Sequence, residues 1–187
     1  MSSTPIGPIF APCDPFEDMM GARARALDYP YTPVSESLVL TRAGAIPFDV
    51  GLTDGRTPVL AIGSNRAPAQ LRHKFSHAEH LPVECVALMD HDVVYAARVS
   101  GYGAIPATLA ESPGTCVDIA ITWLTPRQLE VMDRSEGLGT GYFWANVPAR
   151  CLRLARSLEM QFIGCYVAAR GAFTYQSELV ALEGVGA

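Results

Sequence analysis

Lysine is almost absent from this chain of 187 residues: Lys74 is the only one, and the arginines are scattered. With a formal charge of −5 and a pI near 5.3, no clustered basic surface is available for phosphate groups, which excludes a nucleic-acid role. Long apolar runs are missing as well. Nothing approaches the roughly 18 uninterrupted apolar residues of a membrane span, so no membrane partner is expected. Residues 1–16 hold no basic residue and no sustained apolar block; no secretory signal is read there, and a cytoplasmic protein is expected. Paired cysteines are the third absence. Cys13, Cys85, Cys116, Cys151 and Cys165 are odd in number and show no C-x-x-C spacing, so free, mostly buried thiols are expected. Cys116, Cys151 and Cys165 fall in strand-like runs and read as small core residues, not nucleophiles.

What the chain does have is a globular composition, 49% hydrophobic and 18% charged, and enough length for one substantial core or a core plus a peripheral extension. Residues 1–56 are interrupted by Pro5, Pro8, Pro12, Pro15, Pro30, Pro33 and Pro47, which limits them to short elements. A helix is predicted from Asp14 or Pro15 to Leu27, a short strand over 37–41, and a closing turn at Thr53-Asp54-Gly55-Arg56. From residue 57 to 187 a second, strand-rich unit is expected. Its strands are predicted over 58–62, 83–89, 92–99, 116–124, 142–155 and 159–169, with a hairpin turn at 89–92. Helices are predicted over 66–75, 126–135 and 175–182. So many strands with so few helices fit an α+β fold, a mixed sheet or small closed barrel with flanking helices.

Two local features carry chemistry. Gly63-Ser64-Asn65 lies between the apolar run Pro58-Val59-Leu60-Ala61-Ile62 and a helical stretch. Glycine permits positive φ there, Ser64 or Asn65 can cap the helix, and successive backbone N–H groups make a site for a carboxylate or oxyanion. A capped turn without a ligand is the plainer alternative. Further on, Thr125 as N-cap, Pro126 at the first helical position and Gln128 completing a capping box start a helix, with Leu124 and Leu129 placed as a staple. Gly137 ends it, leaving Glu136 at the helix C-terminus, where the macrodipole and burial among Tyr142, Phe143 and Trp144 favour a general acid/base. A solvated surface glutamate before a glycine turn is the alternative there.

The order of these features resembles the γ-glutamylcyclotransferase family. Ile62-Gly63-Ser64-Asn65 opens a helix, Pro106-Ala107-Thr108-Leu109 and Ser112-Pro113-Gly114 lead into a strand ending at Trp123-Leu124, and Leu129, Met132-Asp133, Glu136-Gly137 and Gly141-Tyr142-Phe143 follow. The resemblance spans about residues 57–170 and is most specific over 132–143. It implies a small mixed β-barrel with flanking helices and a reaction without cofactor or metal. A γ-glutamyl compound is cleaved when its own α-amine attacks its γ-carbonyl, giving 5-oxoproline and a free amine. By matching position Glu136 is the general acid/base, and Ile62, Gly63, Ser64, Asn65, Arg66 and Tyr142 form the substrate-binding set. The partner implied is a small γ-glutamyl compound, with a homodimer as a further candidate assembly. The chain departs from the family at Ile62, where the family has a hydrogen-bonding tyrosine, and at Ile119, where it often has glycine.

Other readings compete. His73, His77 and His80, with Glu84 and Cys85 beyond, have helical spacing that can bind zinc, although Leu81-Pro82 ends the helix there and a solvated helix end is the alternative. Arg42, Arg98 and Arg170 lie near strand ends, within reach of a substrate carboxylate or simply at the surface. Tyr102 and Tyr175 flank candidate pocket loops and are the candidates for the hydroxyl missing at position 62. A non-enzymatic member of the same fold, binding a small ligand or a protein, is the functional alternative.

Overall fold

Val, Ile, Thr and aromatic side chains crowd the middle of the chain, and there they form the two strands on which everything else is arranged. In the computed structural model, which describes residues 15–76, 78–154 and 160–182, with side chains described from residue 21 onward, these are β4 (His80–Tyr95) and β5 (Ala107–Leu124). They pair antiparallel along nearly their whole length. Before them come α1 (Pro15–Leu27), β1 (Leu38–Thr41), β2 (Ala45–Pro47), β3 (Thr57–Ala61) and α2 (Pro68–Lys74). After them come α3 (Pro126–Glu136), β6 (Tyr142–Pro148), β7 (Leu152–Arg153), β8 (Phe162–Ala168), β9 (Thr174–Tyr175) and β10 (Glu178–Leu179).

The main sheet has the order β2-β1-β4-β5-β3-β8-β6, with β7 also pairing with β4. All its pairings are antiparallel except β3 with β8. Because successive side chains alternate across a strand, the central strands feed two cores at once. On one face Val59, Ala61, Ala120, Leu124 and Tyr166 pack with Leu71 and Phe75 at α2 and Met132 of α3. On the other face Leu60, Ile62, Ile119, Ile121, Trp123, Ile163 and Cys165 pack together. β1 and β2 lie in this same sheet, so the second half of the proline-rich stretch contributes strands to it.

Several sequence expectations are corrected here. No closed barrel forms among the described residues: β6 ends at Pro148, the chain turns through a short 3-10 segment at Ala149–Cys151, and only the two residues of β7 reach β4. That division also replaces the single strand expected over 142–155. The turn expected at 89–92 is a bulge inside β4. Asp90 takes a φ of 58°, its carboxylate accepts from the Gly114 N–H at 2.9 Å, and Ser112-Pro113-Gly114-Thr115 loops out opposite it, so the two expected strands are one. The helix expected over 175–182 is the β9–β10 hairpin. Gln176 and Ser177, at φ 50° and 68°, form its two-residue turn, and Val180 and Leu182 then bond to the backbone of β4. Cys116 is exposed and Cys85 and Cys151 are only partly buried, so among the described thiols Cys165 alone is buried as expected of a core residue. No helix among the described residues is long and apolar enough to cross a membrane.

Candidate functional site

Two elements running side by side explain where the site forms. β3 begins at Thr57 opposite Leu124, and α3 begins immediately after Leu124, so strand and helix start together. Five strand residues span about 17 Å, and the eleven residues of α3 span about 16 Å. Their C-terminal ends therefore coincide. The end of β3 is the turn Gly63–Arg66, a single 3-10 turn opened by Gly63 at φ 55°, and the end of α3 is Glu136. The capping box at Thr125 and Gln128 fixes the start of α3, and Gly137, at φ 62°, fixes its end.

The contact between those ends is direct. Asn65 Nδ2 donates to Glu136 Oε1 at 3.0 Å, although 71 residues separate them in sequence. Lys74, the last residue of α2, donates both to Asn65 Oδ1, at 2.7 Å, and to Glu136 Oε1. The Lys74 and Glu136 side chains are 9% and 12% exposed. Both donors converge on Oε1, so Oε2 is the carboxylate oxygen that neither of them holds. These residues line a cavity of about 160 Å³ together with Ile62, Ser64, Arg98, Tyr102, Tyr142 and Tyr166, among others. A second hollow of about 400 Å³ adjoins it through Arg98, Ser135 and Glu136, and adds Arg134 and Arg170.

Tyrosines form much of the cavity wall. The Tyr142 hydroxyl donates to the Ala107 carbonyl at 3.0 Å, and the Arg98 guanidinium lies 5.4 Å from its ring centroid. Burial, reinforced by the nearby Glu136 charge, holds its phenol well above the ordinary range. The Tyr166 hydroxyl donates to the Asp133 carboxylate, and burial with that bond raises its pKa as well. From the N-terminal stretch, Tyr29 reaches into the same cavity, and its oxygen accepts the Ala107 N–H at 2.6 Å.

No protein-family model matches the chain, and no curated protein matches it. Among solved structures, it is similar to a γ-glutamyl cyclotransferase, with 18% identity and a TM-score of 0.50 over 61% of this chain and 67% of the other. An uncharacterized protein from Homo sapiens aligns at 20% identity and a TM-score of 0.50, over 62% of this chain and 68% of the other. The chain has a γ-glutamylcyclotransferase-like fold.

Within that fold the residues named from sequence divide into two groups. Ile62, Ser64, Asn65, Glu136 and Tyr142 line the cavity. Gly63 stands at the turn itself, where a side chain would collide with the Tyr29 hydroxyl and with Ala107 Cβ. Arg66 is buried away from the cavity, toward Cys85 and Asp118; its Nε lacks a partner, and desolvation lowers its pKa. Neither Ser64 nor Asn65 caps α2. Pro68 forces Ala67 into an extended conformation, Ala67 takes the cap position without a side-chain bond, and the Asn65 amide is left for Glu136. Glu136 sits against Asn65, Lys74 and Tyr142, while Phe143 and Trp144 are 50% and 37% exposed. Of the arginines and tyrosines considered, Arg98, Arg170 and Tyr102 lie at the two hollows, and Tyr175 is 66% exposed.

Sequence reasoning missed Lys74 and Tyr29. Lys74 was marked only by being the sole lysine, and nothing near Tyr29 in sequence links it to Ala107. His73 belongs to α2 and His80 begins β4, which breaks the helical spacing considered for zinc; His77 lies outside the described residues. Among the described residues no group of three or more His, Cys, Asp or Glu side chains is placed to hold a metal ion.

Proposed function

We propose that the protein cleaves a γ-glutamyl amide by intramolecular cyclisation, releasing 5-oxoproline and an amine, with Glu136 as the general acid/base. The observation that carries the reading is the meeting of Glu136 with Asn65 of the glycine turn in one cavity. Nucleophile and electrophile belong to one molecule, so the protein's main task is to hold the ring-closing conformer, which is proximity catalysis without a protein nucleophile. A cavity of about 160 Å³ suits a glutamyl group folded on itself rather than an extended chain.

The proton balance needs one carboxylate. The substrate's α-amine, in its neutral form, attacks the γ-carbonyl carbon, and a C–N bond forms as the carbonyl electrons move onto oxygen. Glu136 Oε2 takes the proton that the attacking nitrogen sheds and returns it to the leaving nitrogen as the amide C–N bond breaks. No water is consumed. Lys74 and Asn65 hold the carboxylate through Oε1, which fixes its orientation while leaving Oε2 for both transfers. The adjoining hollow with Arg98, Arg134 and Arg170 suits the carboxylate of a departing amino acid or peptide.

The test is incubation with γ-glutamyl amino acids, glutathione and γ-glutamylamines while 5-oxoproline is quantified. The reading predicts stoichiometric 5-oxoproline and free amine from at least one compound. Binding of 5-oxoproline without turnover of any compound would favour the non-enzymatic alternative.

A further inference from the structure

Ile62 brings no phenol to the glycine turn, yet the Tyr29 phenol lines the cavity beside it, brought from 33 residues earlier in the chain. The segment after α1 is tied down at several points. The Val34 N–H donates to the Arg66 carbonyl at 3.0 Å, the Tyr31 hydroxyl lies 3.4 Å from that of Tyr102, and the Arg25 guanidinium sits 5.4 Å from the Tyr102 ring centroid. Tyr29 projects from this segment to the turn. Its oxygen accepts the Ala107 N–H at 2.6 Å.

We propose that Tyr29 is a catalytic residue of the cyclisation, donating its O–H to the substrate's γ-carbonyl oxygen as negative charge develops there, so that the N-terminal stretch completes the active site. The proposal rests on the cyclisation reading above. Its first support is the direction of the hydrogen bond: the Ala107 amide donates to the phenol oxygen, so the remaining polar function is the O–H itself. Among the described residues that O–H donates no hydrogen bond. A buried donor without a partner is costly, and a substrate oxygen in the cavity would satisfy it. Secondly, amides that donate to a hydroxyl polarise it and make its proton a stronger donor. The Ala107 amide thus acts on the substrate through the phenol. Thirdly, burial raises the Tyr29 pKa far above its ordinary 10, so the phenol keeps the proton it must donate. Gly63 is required on the same account, because any side chain there would occupy the place of the phenol oxygen.

The experiment compares wild type with Tyr29→Phe, which keeps the ring and removes the O–H. 5-Oxoproline formation gives kcat and KM, and the melting temperature confirms folding. Loss of one oxyanion donor predicts a fall in kcat of about 100-fold with KM little changed. A wild-type kcat in Tyr29→Phe overturns the assignment and leaves the cyclisation reading standing. A raised kcat also overturns it, because the phenol would then be blocking the Ala107 amide instead of passing on its polarisation. If wild type forms no 5-oxoproline from any compound, the cyclisation reading fails and this proposal falls with it. Should Tyr29→Phe not fold, a fluorinated tyrosine at position 29 keeps ring and hydroxyl while making the phenol more acidic. As a stronger donor it should change kcat while KM and the melting temperature stay at their wild-type values, and an unchanged kcat overturns the assignment.

Discussion

The Glu136 carboxylate is held by two donors on one oxygen, and the cation among them is the chain's only lysine. Both side chains of the ion pair are nearly buried, so removing one partner leaves a poorly hydrated charge without its counter-ion. Lys74→Met is therefore predicted to cost about 3 kcal/mol of stability, whereas Lys74→Met with Glu136→Gln removes both charges and should recover most of that loss. Urea unfolding of the two single variants and the double variant measures the coupling. Additive losses would show that the pair contributes nothing of its own. Little of this was legible in the sequence. Asn65 is of a type that favours caps, and only the extended conformation imposed on Ala67 by Pro68 frees its amide for Glu136. The orientation of Lys74 follows from that same helix start.

Element by element, α3 was the most legible part of the chain because its signals are local. Thr125, Pro126, Gln128 and Gly137 fix both of its ends. Thr125→Ala is predicted to cost about 1 kcal/mol by losing the cap. Gly137→Ala is predicted to cost about 1–2 kcal/mol, because it forces a Cβ into the left-handed region at φ 62°. The two differ in function: Gly137 adjoins Glu136, so only its substitution should lower kcat beyond what the melting temperature explains. Equal kcat values in the two variants would contradict the account. Elements decided by distant partners were misread. Asp90 has the composition of a hairpin turn and forms a bulge because β5 supplies Gly114 opposite it. Residues 175–182 form a hairpin and edge contacts because β4 offers unpaired backbone groups there. β7 is too short to register as a strand in sequence, which is why the sheet's incomplete closure was not foreseen.

On the scale of the molecule, the α+β class and the strand-helix order over about residues 57–170 were readable, as was the short strand over 37–41, but not β2, the place of both strands in the main sheet or the reach of Tyr29. The stretch 28–47 gives two strands to the sheet and Tyr29 to the cavity through contacts far apart in sequence. Tyr29, Tyr142 and Tyr166 are all held above their ordinary pKa of 10 by burial, and Tyr31 is raised to about 12. The folded state thus keeps phenolic protons that the unfolded chain releases. The associated stability is fully present below pH 10 and is lost as pH rises through the folded-state values. An alkaline titration should show the melting temperature falling above about pH 10, with tyrosinate absorbance from these buried rings appearing only on unfolding. Reversible ionisation of all seven tyrosines in the folded protein would contradict it. The central claim concerns Glu136, and the most direct measurement is the rate of 5-oxoproline release by Glu136→Gln beside wild type on the best γ-glutamyl substrate. The account predicts a loss of about 1,000-fold in a protein that remains folded, and an undiminished rate in the glutamine variant would contradict it.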